Sequence, residues 1–172
     1  LFYDLLMGKK NKKKKAAGQS ENPNYKPIAE NRKARHKYQV LDTLECGLAL
    51  IGSEVKSLRL NRVSLDEAYA RVQNREVWLV GCDIPEYKQA SQMNHAPKRP
   101  RKLLMHQSEI RKFAGQAHEN GLTLVPLKMY FNHRGIAKCL VGLCRGKKTH
   151  DKREALKKAD TQRGLQRAMR RR

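Results

Sequence analysis

The side chains of this sequence that could do chemistry are its cations, its four cysteines and its six histidines. Gly142-Leu143-Cys144-Arg145-Gly146-Lys147-Lys148-Thr149 imitates a loop that cradles phosphate. It is one residue too short between its glycines, however, and it carries Lys148 where the magnesium-binding hydroxyl belongs. Cys139, Cys144, His133 and His150 are metal-ligand types. If residues 136–144 form one strand, the two cysteines differ by an odd number of positions and face opposite sides, which favours core thiols over a metal site. Scattered Ser, His and acidic residues show no nucleophile–base spacing and no paired carboxylates. No catalytic residue, metal site or cofactor is therefore expected, and function is to be sought in binding.

Charge points to the ligand. The formal net charge is +22, and residues 145–172 hold twelve Lys and Arg against three acids. A segment that basic can neither neutralise nor bury itself, so it should meet a polyanion, RNA foremost. Residues 1–27 carry seven Lys against two acids, whereas residues 28–144 are only mildly basic. This predicts a Lys-rich disordered arm over 1–27, one folded domain over 28–144 and a basic tail over 145–172. Met7-Gly8-Lys9-Lys10 offers a natural start, which would leave residues 1–6 outside the native chain. The cysteines lack paired spacing and the opening lacks the layout of an export signal, so a reduced, cytoplasmic protein is expected. No stretch approaches the ~20 apolar residues of a membrane span.

The elements that must position these charges are short. Glu30–His36 can form a basic helix before a strand over Tyr38–Glu45, with Cys46-Gly47 as a turn. After Gly52, Ser53 is a candidate N-cap for a helix through Val55, Leu58 and Leu60. Ala68–Val72 and Glu76–Cys82 read as strands joined at Asn74-Arg75, with apolar residues on both faces of the second, so both faces should be covered. Residues 85–102 read as a long loop, and a loop of that length needs a functional reason. Ile110, Phe113, Ala114 and Ala117 recur at helical spacing, with Ser108 as a candidate cap and Gly121 as a stop. Leu122–Phe131 and Ile136–Cys144 form the last hairpin around Asn132-His133-Arg134-Gly135. About six short strands and two or three helices predict a mainly β fold, a small closed or partly open barrel.

The tail has no apolar stripe with which to dock on that barrel, because Ala155, Leu156, Ala159, Leu165, Ala168 and Met169 do not share one helical face. Like charges at 153 and 157 and at 163 and 167 repel at i,i+4 by ~0.2–0.5 kcal/mol per pair. The tail is thus expected to be disordered when free and to fold when phosphate neutralises it.

Six segments together resemble the small protein B family, the bacterial partner of transfer-messenger RNA, in the family's order from Ile28 to the C-terminus. They are Ile28-Ala29-Glu30-Asn31-Arg32-Lys33-Ala34-Arg35-His36, Gly52-Ser53-Glu54-Val55-Lys56-Ser57-Leu58-Arg59, Val77-Trp78-Leu79-Val80-Gly81, Arg99-Pro100-Arg101-Lys102-Leu103-Leu104, Gly121-Leu122-Thr123-Leu124-Val125-Pro126-Leu127-Lys128, and Gly146-Lys147-Lys148 with Asp151-Lys152-Arg153. The resemblance implies an oligonucleotide-binding-like β-barrel with disordered basic arms. It also implies a role in trans-translation: the protein would bind the tRNA-like domain of transfer-messenger RNA, stand in for the missing anticodon arm and enter stalled ribosomes. Elongation factor Tu and alanyl-tRNA synthetase would be indirect partners, the bond-making steps would belong to them and to the ribosome, and the protein would be a monomer.

Residue by residue, the resemblance implies that Asn31, Arg32, Lys33, Arg35 and His36 supply phosphate donors and a stacking ring. Glu45 would accept hydrogen bonds from RNA or orient a neighbouring cation. Leu104, Met105 and His106 would form a second contact, although without the resemblance Leu104 reads as core. Lys56 and Arg59 suit either phosphate contact or a solvated helix face. Gly146, Lys147, Lys148, Asp151, Lys152 and Arg153, with Arg163, Arg167, Ala168 and Met169, would lie in the decoding centre and message channel of the small subunit. Gly164 departs from a good helix by ~1 kcal/mol, and Cys46 and Ala96 replace more usual family residues. The alternative reading is a general ribosomal or structured-RNA-binding protein.

Overall fold

A computed structural model describes residues 26–90, 94–119 and 121–170; the expected N-terminal arm falls almost wholly outside them. The first strand, β1 (Lys26–Glu30), lies where the sequence predicts the end of a disordered arm and the start of a helix, and it carries Pro27. Pro27 is tolerated because, among the described strands, β1 is an edge strand paired to β6 (Thr123–Phe131) alone. α1 (Arg32–Lys37) follows, and then β2 (Tyr38–Leu48).

β2 corrects the expected turn at Cys46-Gly47, since its pairing continues through both residues. Gly47 marks a close approach instead: a Cβ there would sit 3.2 Å from Leu104 Cβ on the neighbouring strand. In α2 (Gly52–Arg59) the capping residue is Ile51 rather than Ser53, and its backbone N–H donates to Glu54 Oε2 at 2.8 Å.

β3 (Tyr69–Gln73) and β4 (Glu76–Val80) form the expected hairpin, with Asn74 and Arg75 both at positive φ (52° and 59°), the primed geometry that matches strand twist. One face of β4 is fully covered and the other partly: Val77 and Leu79 are fully buried, while Glu76, Trp78 and Val80 are half-buried. The expected loop over 85–102 ends early, in β5 (Arg101–Leu104). Its two leading cations hid that strand from the pattern, yet Arg101 points inward and is fully buried.

α3 (Gln107–Glu119) begins before the expected cap at Ser108, and the His106 N–H donates to Glu109 Oε2 at 2.9 Å. Gly121 ends it at φ 59°. Asn120, where the helix was expected to finish, lies outside the described residues. β6 and β7 (Ala137–Gly146) form the last hairpin, closed by Asn132 Oδ1, which accepts from the N–H groups of Arg134 and Ile136.

The strands run in the order β1-β6-β3-β4-β5-β2-β7, and a further β6–β7 pairing closes six of the seven into a ring with β1 outside it. Cys46, Val77, Leu79, Leu103, Met129, Cys139 and Val141 fill the interior. A second small cluster lies outside the ring, where Ala34 of α1 packs on Val125, Leu127 and Cys144. Cys139 and Cys144 thus occupy opposite faces of β7, as their spacing predicts, and all four cysteines are free and buried. The barrel slightly overruns the expected span of 28–144 at both ends.

The tail is helical as α4 (Thr149–Arg170), the form expected of it once phosphate neutralises its charge. Good intrinsic helix formers dominate it, Arg163 pairs with Asp160 at i,i+3, and the Thr161 hydroxyl donates to the Lys157 carbonyl. As its lack of a stripe predicts, α4 buries none of its described side chains. Among the described residues no helix is long and apolar enough to cross a membrane.

Candidate nucleic-acid interface

The outer face of the β2–β7–β6 wall gathers most of the residues singled out in the sequence. At one end sits α1. Asn31 is unlike its neighbours: it is buried, its Oδ1 accepts from the Ala34 N–H at 2.9 Å, and its Nδ2 donates to the Leu65 carbonyl at 2.8 Å. It therefore caps and anchors α1 instead of offering its amide to a ligand. The anchored helix presents Arg32, Lys33, Arg35 and His36 on its exposed side. Lys33 pairs with Asp66 at 2.6 Å, and that hydrogen bond raises its pKa. Arg35 approaches Glu30 at 3.7 Å, and Lys128 lies on the same carboxylate at 3.8 Å.

Glu45 stands mid-wall, half-exposed. The Tyr130 hydroxyl donates to it, and Lys138 Nζ lies at 3.2 Å. The Tyr130 bond, with help from Lys138, outweighs partial burial and lowers the Glu45 pKa, so the group is an ionised acceptor with a fixed direction. Tyr130, Lys138 and Lys128 were missed in the sequence. Their signal was present as polar or amphipathic side chains at every second position of otherwise apolar strands.

The far end of the wall is Leu104, paired with Gly47, two positions from Glu45 on the same face of β2. Leu104 is 51% exposed, a large apolar side chain left in solvent. His106 is also exposed, whereas Met105 packs against the barrel core. Lys56 and Arg59 belong to another neighbourhood on α2: Lys56 Nζ lies 5.5 Å from the Tyr87 ring centroid, and the Arg59 carbonyl accepts from Lys26 Nζ.

The tail leaves from the α1 end. Gly146 pairs with Tyr38, the Lys147 N–H donates to the Lys37 carbonyl at 3.0 Å, and Lys147 Nζ donates to the Arg35 carbonyl at 2.9 Å. The root of α4 is therefore fixed beside the basic helix, with Lys148 exposed next to it. Asp151 and Lys152 fall in the first turn, where only the backbone is described. Arg153, Arg163, Arg167, Ala168 and Met169 are all exposed along the helix. Such a surface, with cations at one end, an oriented acceptor in the middle and an open apolar side chain at the other end, can hold phosphates, a base or ribose donor, and an unpaired base in one direction.

Comparison with known proteins agrees. The family model "SmpB protein" matches residues 28–171. An SsrA-binding protein of Rhodopirellula baltica is 61% identical over 149 residues, covering 87% of this chain and 85% of the relative. One from Rhodopseudomonas palustris is 52% identical over 145 residues, covering 84% and 92%. A solved structure described as "tmRNA-SmpB: a journey to the center of the bacterial ribosome" superposes with a TM-score of 0.62 at 49% identity, covering 76% of this chain and 94% of that one.

Proposed function

Because the chain belongs to the SmpB protein family, we propose that it is the transfer-messenger RNA-binding factor of trans-translation. Its barrel wall grips the tRNA-like domain of that RNA, and α4 is carried into the decoding centre and message channel of a stalled ribosome. The observation that carries this reading is the single wall on which the α1 cations, Glu45 and Leu104 lie, with the root of α4 bound to α1 through Lys147. One folded RNA held on that wall fixes where the basic helix points.

In this reading the barrel is the RNA-binding unit and residues 145–172 are the ribosome-directed arm. Asn31 acts indirectly by fixing α1. Arg32, Lys33, Arg35 and His36 meet phosphate and base, Glu45 accepts from the RNA, and Leu104 and His106 stack on unpaired bases with Met105 supporting them from the core. Lys56 and Arg59 lie apart from this wall, on α2, and serve a separate phosphate contact. The protein makes and breaks no bond and needs no cofactor. It works as a monomer in the cytoplasm, and elongation factor Tu and alanyl-tRNA synthetase act on the same RNA without a dedicated site here.

The test is nascent-chain tagging on a truncated message in an extract depleted of this protein. Adding it back restores tagging, and equal tagging without it refutes the reading. A general structured-RNA binder is separated by affinity: transfer-messenger RNA should bind well above total transfer RNA at physiological salt.

A further inference from the structure

The chain's one tryptophan lies outside the barrel. Trp78 faces outward from the middle of β4, while its neighbours Val77 and Leu79 face inward and are fully buried. Directly across from it are Arg71 on β3 and Lys102 on β5, so the indole sits in a row between two cations. Arg71 is exposed, with its guanidinium donating to Gln73 Oε1 at 3.0 Å, and Lys102 pairs with Glu76. Tyr69, 42% exposed, follows next along the same face opposite Val80, and Arg75 sits at the hairpin tip. Among the described residues the cations lying over aromatic rings are Lys56 over Tyr87 and Lys112 over Phe113. Arg71 and Lys102 therefore flank the indole without lying over it.

This wall adjoins the one described above. Lys102 and Leu104 are alternate residues on the outer face of β5, and Leu104 sits beside Gly47 of β2. A strand of RNA passing Glu45 and Leu104 would reach Lys102, Trp78 and Arg71 next, without leaving the sheet surface. A flat, half-buried aromatic between two cations on the outer face of a sheet is an arrangement that takes single-stranded RNA, because a base can stack on the part of the ring left open while the cations hold the phosphates.

We infer that Trp78, with Arg71 and Lys102, forms a second stacking subsite that takes an unpaired nucleotide of bound RNA next to the one held at Leu104. The inference rests on the RNA-binding reading above and adds to it a wall that the sequence alone left unassigned.

Because the chain has a single tryptophan, emission excited at the red edge, where tyrosine does not absorb, reports this site alone. The full-length protein is titrated with unlabelled single-stranded oligoadenylate and with a duplex RNA of equal length, while anisotropy of end-labelled transfer-messenger RNA is followed in parallel. The single strand is expected to quench the emission saturably and less strongly as salt rises, with the duplex weaker. Arg71→Glu, on an exposed side chain that gives up one surface hydrogen bond to Gln73, should raise the midpoint of quenching about threefold or more. Followed by anisotropy of the end-labelled oligonucleotide, because these variants lack the fluorophore, Trp78→Ala should weaken binding about tenfold, and Trp78→Phe, which keeps a stacking ring, should recover most of it. Emission that stays unchanged while transfer-messenger RNA binds by anisotropy overturns the subsite and leaves the RNA-binding reading standing. Failure of any RNA to bind removes both. Emission that ignores RNA but shifts with protein concentration assigns the wall to a second copy of the chain and also overturns the proposal.

Discussion

Glu54 and Arg101, far apart in sequence and both fully buried, meet inside the barrel end with Arg101 Nε 2.8 Å from Glu54 Oε1. Arg99 adds a two-pronged contact to the same carboxylate at 2.7 and 2.6 Å. Arg101 also donates to the carbonyls of Cys82, Pro97 and Arg99. Three elements are thus tied at one point: α2, the long connection after β4, and β5. That tie fixes the described end of the proline-containing connection, residues 94–100, which has no helix or strand of its own. Glu54→Gln should remove about 3–5 kcal/mol of stability, because it leaves a buried guanidinium uncompensated. Urea unfolding at neutral pH measures the loss.

The same pair makes a pH prediction. Burial pushes the Glu54 pKa up, but the Arg99 bond, the Ile51 N–H and Arg101 together pull it below the usual range. A carboxyl with a lowered folded pKa contributes stability above its unfolded value of about 4.3 and loses it as pH falls through the folded value. The stability gap between the parent and Glu54→Gln should therefore be widest near neutrality and shrink under acid. A gap that stays constant down to about pH 3 would show that the carboxylate's charge is not what Arg101 requires.

How much of this was legible in the sequence depended on whether a residue's partner was local. The β3–β4 hairpin could be read because Asn74-Arg75 carries its own turn chemistry, and α3 because its apolar spacing is local. β5 and the continuation of β2 could not. Arg101 looks like a loop cation until Glu54 is brought to it, and Gly47 looks like a turn until Leu104 is packed on it. For the proposed interface, family likeness singles out the α1 motif and Glu45, whereas Tyr130 and Lys138 reach Glu45 only through cross-strand proximity. Asn31 was assigned to RNA because capping and recognition favour the same residue type, and only its burial separates the two roles.

Glu45 gives a prediction opposite to simple charge counting. Removing an acid from a basic protein should raise its affinity for RNA. The Tyr130 hydroxyl and Lys138 instead aim this carboxylate as an acceptor, so Glu45→Ala should weaken transfer-messenger RNA binding while leaving total transfer RNA binding unchanged or stronger. Tyr130→Phe should produce a smaller loss in the same direction. Filter binding with both RNAs decides it; a uniform gain across RNAs would make Glu45 a bystander.

The four thiols should be inert. Burial pushes the Cys46 thiol up to about 12 and those of Cys82 and Cys144 up to about 11, and it raises Cys139 well above the ordinary range. At pH 8 a disulfide reagent meets neither thiolate nor accessible sulfur. The folded protein should react at least about a hundredfold slower than free cysteine, and all four should appear together on unfolding. Stepwise reaction under native conditions would mean that the barrel opens locally at the β3–β6 seam, which is held by the single pair Ala70↔Leu124.

The tail separates stability from function. None of the described side chains of α4 is buried, so removing residues 149–172 should leave the melting temperature of the barrel within about 1 °C and its transfer-messenger RNA affinity nearly intact, while abolishing tagging on stalled ribosomes. Gly164 refines the test. A Cβ added there meets nothing within 4 Å, and Ala is better in a helix interior by ~1 kcal/mol. Gly164→Ala should therefore raise helicity by circular dichroism without disturbing any contact. If the message channel needs a continuous helix, tagging should hold or improve. If Gly164 provides a bend at which α4 enters the channel, the more helical variant should tag less well; with the RNA held on the barrel wall as proposed, affinity should not change in either case.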